Sequence, residues 1–384
     1  MNSRERVLTA LKHKEPDRVP FDIGGSVTTG IHKVAYKNLL EYLGIKNREI
    51  ITIEYLQQLA MIDEDILTRF NVDLRPIATN MPEHLMPEFF IEENHEKFYD
   101  QFNIKWRKPL EYGLYFDLEE QPFSNFTSVK EVEEFEFPDP LESSRYIGVS
   151  EKAQAIKDNT NAAITLAGIT AGITEIACWL RGMENFMVDM MLDRKMAEAI
   201  LDKVMVFKAK FWEEALLSFG DLIDVVIEAD DLGTQTSQLF SPKQYRDIIK
   251  PRHKIIFDTI KKAKPDVFIF LHSCGNIYDL IPDLIEIGVD AINPVQVTAK
   301  DMDTKRLKKE FGNDLTFWGG GIDSVNILNK ATPEQVKDEV KRRIHDLAPG
   351  GGFIFSAVHN IQPDVPPENI IAMIEALNEF GVYK

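Results

Sequence analysis

Apolar residues in the second part of the chain come in short, dense runs separated by longer amphipathic stretches. Ala162–Leu166, Val225–Glu228, Val267–Leu271, Ala291–Val295, Leu315–Trp318 and Phe353–Ala357 are rich in Val, Ile and Phe, which predicts strands buried on both faces. Between them, Lys195–Leu217 carries Met196, Ile200, Val204, Phe207 and Phe211 on one face of a 3.6-residue period, the pattern of an amphipathic helix. Ser241-Pro242, Thr332-Pro333 and Pro366-Pro367 place proline at the start of further helices, where a missing N–H costs nothing. Six strand–helix units with short links imply a parallel sheet. With the earlier run Val19–Ile23 and one further strand not located, the count reaches eight, so the expected fold class is α/β, a (β/α)8 TIM barrel with an irregular N-terminal extension. A doubly wound open sheet is the alternative. Neither needs a domain boundary, so residues 1–384 are expected to form one domain, irregular over 1–160 and regular over 161–384.

The residues just after each strand carry the chemistry. The runs lead into Ala229-Asp230-Asp231-Leu232-Gly233, His272-Ser273-Cys274-Gly275, Asn293-Pro294-Val295-Gln296, Gly319-Gly320-Gly321-Ile322-Asp323 and Val358-His359-Asn360-Ile361-Gln362. In a barrel these ends open on one face, the face where active sites lie. His272 and Cys274 are two residues apart, so on extended backbone an imidazole and a thiolate point to the same side and can meet on one ion. That donor pair suits Zn2+. The alternative is a buried cysteine behind a capping histidine. His359, also at a strand end, is the candidate third ligand; its alternative is a hydrogen-bonded rim histidine. Glu228, Asp230 and Asp231 offer a carboxylate ligand or base. Glu228 and Asp230 share one face of the extended strand, which favours them over Asp231, while a helix cap or ion pair would explain any of the three. Cys178, inside a helical pattern, reads as a buried apolar residue.

Composition narrows the class. A net charge of -18 lacks the basic footprint that nucleic acid needs and would be repelled by anionic lipid. The N-terminus is charged throughout, no window has the roughly 18 apolar residues of a membrane span, and two cysteines are too few for a disulfide framework. A soluble cytoplasmic enzyme is expected, with homo-oligomerisation left open.

Taken in order, several segments match a known pattern: Arg4-Glu5-Arg6-Val7-Leu8 with Pro16-Asp17-Arg18-Val19-Pro20, Leu180-Arg181-Gly182-Met183-Glu184, Asp230 to Gln235, Ser241-Pro242 with Tyr245-Arg246, His272 to Gly275, Asn293 to Gln296, and Gly319 to Asp323. The chain resembles the uroporphyrinogen decarboxylase superfamily, and within it the corrinoid-linked zinc methyltransferase branch. The resemblance implies a (β/α)8 barrel over nearly the whole chain. Decarboxylases of the superfamily carry an Arg-rich segment after the first strand to hold tetrapyrrole carboxylates, whereas Asp22 to Thr29 here contains no arginine. The methyltransferase branch has a His-x-Cys pair, present as His272 and Cys274, and a later cysteine whose position His359 occupies here.

The resemblance therefore implies zinc on His272, Cys274 and His359, with Glu228 or Asp230 as further ligand or proton manager. Asn293, Gln296 and Gln362 are candidates for hydrogen bonds to substrate. Gly319–Gly321 would leave room for a corrinoid or substrate, or would reflect tight packing at a strand end. A His, Cys, His set is more electrophilic than one with two thiolates, which points to a Lewis acid acting on a methyl ether. The expected activity is methyl transfer from a small methoxylated compound, aromatic ones included, to the Co(I) of a corrinoid. No Asp-x-His-x-x-Gly run binds cobalamin in this chain, so the corrinoid is expected on a partner protein. Alternatives are methyl transfer from the corrinoid protein to a thiol or pterin, a metal-free decarboxylase, and a non-catalytic metal- or corrinoid-binding barrel.

Overall fold

The computed structural model describes residues 1–169 and 171–383. Near the N-terminus two short strands, β1 (Thr52–Glu54) and β2 (Leu59–Ala60), pair antiparallel. Next in the chain are β3 (Leu74–Ala78) and an antiparallel meander of β4 (Phe90–Glu92), β5 (His95–Tyr99), β6 (Lys105–Pro109) and β7 (Asp117–Glu120). The remaining strands are β8 (Ala163–Ala167), β9 (Val225–Ala229), β10 (Phe268–His272), β11 (Ala291–Asn293), β12 (Thr316–Trp318) and β13 (Phe353–Ile354). Strands β3 and β8 to β13 form one parallel sheet in chain order.

Segment 19–23 closes that sheet. Phe21 bridges Phe355 in parallel, Asp22 N–H donates to the Phe355 carbonyl at 2.9 Å, and Asp73 N–H donates to the Phe21 carbonyl at 2.9 Å. The fold is thus the expected (β/α)8 barrel, and the strand that the hydrophobic pattern did not locate is β3. Its sequence, Leu-Arg-Pro-Ile-Ala, lacks a continuous apolar run because Arg75 turns outward to pair with Glu64 at 2.7 Å.

Inner and outer faces of the barrel are distinct. Leu74, Ala163, Val225, Ile227, Phe270, Ala291, Trp318 and Ile354 form the inner cluster, and alternate strand residues such as Val226, Ile269 and Ile292 join the larger core beneath the helices. The first helix (Ser3–Leu11), started by a capping box between Asn2 and Glu5, plugs the lower end of the barrel with Val7, Ala10 and Leu11. Burial of Val7 and Leu11 contributes about 1.5–3 kcal/mol each. Asp73, fully buried, accepts from Arg6 Nη1 at 2.7 Å and from Arg18 Nη1 at 2.7 Å, and Arg6 Nε reaches Asp17 at 2.6 Å. These bonds give the Arg4–Leu8 and Pro16–Pro20 segments a structural role. The long helix Arg194–Phe219 covers β8 and β9, as its apolar period predicts. No helix among the described residues is long and apolar enough to cross a membrane.

Candidate metal centre and active site

Within β10, Phe270 belongs to the inner cluster, so His272, two residues on, also faces the barrel axis and does so at its C-terminal mouth. The His272 Nε2 atom lies 3.4 Å from Cys274 Sγ. Gly275 then turns the chain away at φ +86°, where a Cβ would fall 2.4 Å from the Gly233 carbonyl carbon; only glycine fits there. His359 follows β13 in left-handed backbone, φ +63°, a conformation uncommon for a residue with a side chain. Its ring meets His272 at 5.2 Å between centroids. One ligand atom each from His272, Cys274 and His359 lies within 4.8 Å of the other two. A tetrahedral zinc with bonds of 2.0–2.3 Å sets its ligand atoms roughly 3.3–3.8 Å apart, so small side-chain adjustments fit the ion.

Polar neighbours prepare these donors. Asn293 Nδ2 donates to the Trp318 carbonyl at 2.9 Å, which leaves its Oδ1 as acceptor for His272 Nδ1 at 2.7 Å. The proton of a neutral His272 therefore sits on Nδ1, and the lone pair of Nε2 faces Cys274 and the cavity. Burial, and then the nearby His272 ring, pushes His359 down to about 3, so it too is a neutral donor. Burial first, then Asp231 and Glu175, holds the Cys274 thiol well above its usual range. A bound dication reverses that preference and takes up the thiolate. The donor set and its acidic surroundings fit a divalent zinc-type ion.

Asp231 is the carboxylate at this site. Its Oδ1 accepts from Cys274 N–H at 2.7 Å and stands 3.7 Å from His272 Nε2. Glu175 joins it from the first turn of helix Ile173–Arg181, its Oε2 accepting from Gly172 N–H at 3.0 Å. Burial first, then Asp231 and Asp230, pushes Glu175 up to about 8. Glu228 and Asp230 do share a face, but it is the outward one, because Val225, Ile227 and Ala229 take the inward positions of β9. Glu228 is buried against Lys208 at 2.9 Å and accepts from the Trp212 indole. Asp230 caps the start of helix Ile173–Arg181 through Thr174 and bonds His253 at 2.9 Å. The expectation that these two act at the centre is corrected: both support the barrel wall.

The hydrogen-bonding residues also divide. Asn293 is fully buried with both amide atoms engaged, so it orients His272 instead of binding substrate. Gln296 spends its Oε1 on Gly275 N–H at 2.6 Å and borders an outer cavity beside Cys274. Gln362 lines the cavity below the histidines and accepts from Tyr115. Gly319 and Gly320 are packed closely against Asn293 and Val295, which favours the tight-packing account of the glycine run. Cys178 is buried, its thiol pushed up to about 12, and behaves as the apolar residue expected.

The cavity under the centre has a volume of about 470 Å3, with Asp231, Glu175, His272, His359, Tyr115 and Trp179 in its wall. It shares Glu54, Leu56, Trp106 and Trp179 with a second chamber of about 390 Å3, walled by Tyr55, Phe98, Phe102, Met81, Met86 and Ile176. Glu54, Glu175 and Asp231 give the first cavity an acidic lining, and no Lys or Arg is among its described lining residues.

Residues 111–380 match the profile of the family described as Uroporphyrinogen decarboxylase (URO-D), well over half the chain. A uroporphyrinogen decarboxylase of Legionella pneumophila (strain Philadelphia 1) is 26% identical over 277 residues, covering 70% of this chain and 74% of that protein. One from Pseudoalteromonas atlantica is 23% identical over 277 residues with the same coverage of each. Among solved structures, a methyltransferase from Methanosarcina mazei superposes with a TM-score of 0.66 over 99% of both chains at 18% identity. This chain belongs to the uroporphyrinogen decarboxylase family.

Proposed function

We propose that the chain is a zinc-dependent methyltransferase of a corrinoid system, moving a methyl group from a small methoxylated compound to the Co(I) of a corrinoid carried by a partner protein. The observation that carries the reading is the convergence of His272, Cys274 and His359 at the barrel mouth, over an acidic cavity. Uroporphyrinogen is a poor match for that cavity, because its eight carboxylates would find no Lys or Arg among the described lining residues. The family resemblance to the methyltransferase branch, and the end-to-end likeness of fold to the Methanosarcina mazei methyltransferase, are consistent with the reading.

Zinc bound by His272, Cys274 and His359 would supply Lewis-acid stabilisation of negative charge developing on the donor's oxygen. The rest belongs to the chain. Asn293 holds the His272 ring in its donor tautomer, and Asp231 fixes the Cys274 backbone. As the methyl carbon leaves, the C–O electron pair stays on oxygen. The Glu175 carboxyl, which lines the same cavity beside Asp231, is the group placed to hand a proton to that oxygen.

The test pairs metal analysis with turnover. Purified protein should hold about one zinc per chain, and methyl ethers should change the visible spectrum of a Co(I) corrinoid in its presence. Full activity without zinc overturns the proposal. So does rapid methylation of thiols while methyl ethers stay inert.

A further inference from the structure

Arg145 is a buried cation with no carboxylate within ion-pair distance among the described residues; Asp139 and Glu142 act on it only from farther off. It ends a short turn (Ser143–Arg145), is 2% exposed, and lines the apolar chamber on the part not shared with the cavity under the metal centre. Its Nε donates to the Asp139 carbonyl at 3.0 Å and its Nη2 to Gln101 Oε1 at 3.1 Å. Among the described residues, Nη1 has no hydrogen-bond partner and the guanidinium forms no ion pair.

Nearby acids are occupied elsewhere. Asp100 spends its oxygens on the backbone N–H groups of Phe102 and Ile104 and on the Trp106 indole. Glu54 accepts from Leu56 and Gln57 N–H, Asp139 from Leu141 N–H, and Glu142 from Ser144 Oγ. An arginine is always charged and carries five donors, and burying it unpaired is costly. A fold keeps such a group where a ligand completes it. Apart from Thr79 and Asn80, the remaining walls are rings and apolar chains, among them Tyr55, Phe98, Phe102, Trp106, Trp179 and Met86.

We infer that the methyl donor is an organic carboxylate with an apolar, ring-sized body. Its carboxylate pairs with Arg145 Nη1, its body fills the 390 Å3 chamber, and its methyl-bearing oxygen lies at the wall shared with the metal cavity, beside the packed rings of Trp106 and Trp179 and on the side of His272 and His359. A chamber of that size falls within the roughly 300–1,000 Å3 of ligand pockets. The assignment rests on the methyl-transfer reading for the identity of the reacting group, and on Arg145 for the carboxylate.

Binding separates the two. Calorimetric titration of the full chain with 3- and 4-methoxybenzoate and with the matching methoxybenzamides compares acid and neutral forms of nearly one shape. The acids should bind about 10–100-fold more tightly, the range of one charge-assisted pair. Arg145→Gln should abolish the preference while leaving amide affinity in place, and Arg145→Lys should retain part of it. Equal affinity of acid and amide for the unmodified chain overturns the inference without any variant, so a poorly folding Arg145→Gln does not shield it. Equal loss for both ligands in a variant that melts normally also overturns it. Tight, Arg145-dependent binding with no Co(I) methylation upholds the carboxylate pocket and overturns the methyl-transfer reading instead.

Discussion

From residue 161 onward, the polar side chains at the centre stand at strand ends and in the first turn of one helix, each aimed by the register of the strand or by a cap. The first 160 residues supply a different surface. Phe98 and Trp106 face each other across β5 and β6 and wall the chamber, with Tyr55, Met81 and Met86 from loops around them. Strand ends of a barrel hold a reacting centre rigidly, because each is fixed by two neighbours, whereas a meander and loops laid over the mouth can change size and polarity without disturbing that centre. On the proposed reading the regular half carries the chemistry and the irregular half supplies most of the chamber that would choose the substrate. Arg145 sits in the second category.

The division breaks most visibly if Cys274→Ala leaves the protein folded but metal-free. Zinc content should fall to background and Co(I) methylation by more than the 10–100-fold typical of losing an outer-shell partner. Affinity for a methoxybenzoate should change little, since Arg145 and the chamber are intact. Loss of ligand affinity equal to the loss of zinc would show that the two halves are not separable.

Asn293→Ala sharpens the same boundary from one layer out. The residue touches no open cavity; its effect runs through the Nδ1 proton of His272. Zinc affinity or turnover should drop about 10–100-fold. Asn293→Asp, which keeps an acceptor at Oδ1, should recover part of the loss in zinc titrations. An Asn293→Ala protein with normal zinc affinity and a raised KM alone would return Asn293 to the substrate.

The regular half was largely legible because its strands are continuous apolar runs, and His272 and Cys274 were legible because period-2 geometry places both on one side. The same geometry misdirected the choice among Glu228, Asp230 and Asp231. A parallel strand buried on both faces does not show which alternation faces the axis, and Val225 and Ile227 proved to be the inward residues. Asp231, two residues past the strand end at Ala229, continues the inward set of Val225 and Ile227. Glu175 was missed because it lies after β8, whose end is small and apolar (Gly168 and Ile169 lead on to Gly172); its signal was the acidic third position of a helix start. The chamber was not readable at all, since Phe98 and Trp106 look like ordinary core residues until the meander folds over the mouth.

Asp22 links the halves and acts on stability alone. It belongs to the closing segment 19–23, accepts from Trp318 Nε1 at 2.8 Å and from Gly25 N–H at 2.7 Å, and is 1% exposed. Trp318 in turn receives Asn293 at its carbonyl, so the N-terminal closure and the His272 support meet on one residue. Burial pushes the Asp22 carboxyl from 3.8 up to about 6. Between those values the folded protein keeps a proton that the unfolded chain has lost, so this group's contribution is fully present below 3.8 and falls as pH rises through 6. At about 1.4 kcal/mol per unit, the ceiling is about 3 kcal/mol. Asp22→Asn removes the titration while mimicking the protonated form. Urea unfolding at pH 4 and pH 6.5 should show the unmodified protein losing stability relative to Asp22→Asn across that interval, with zinc content unchanged in the variant. Parallel curves for the two proteins would mean that Asp22 is already ionised at pH 4, and that the closing segment is held by a charged hydrogen-bonded carboxylate instead of a neutral one.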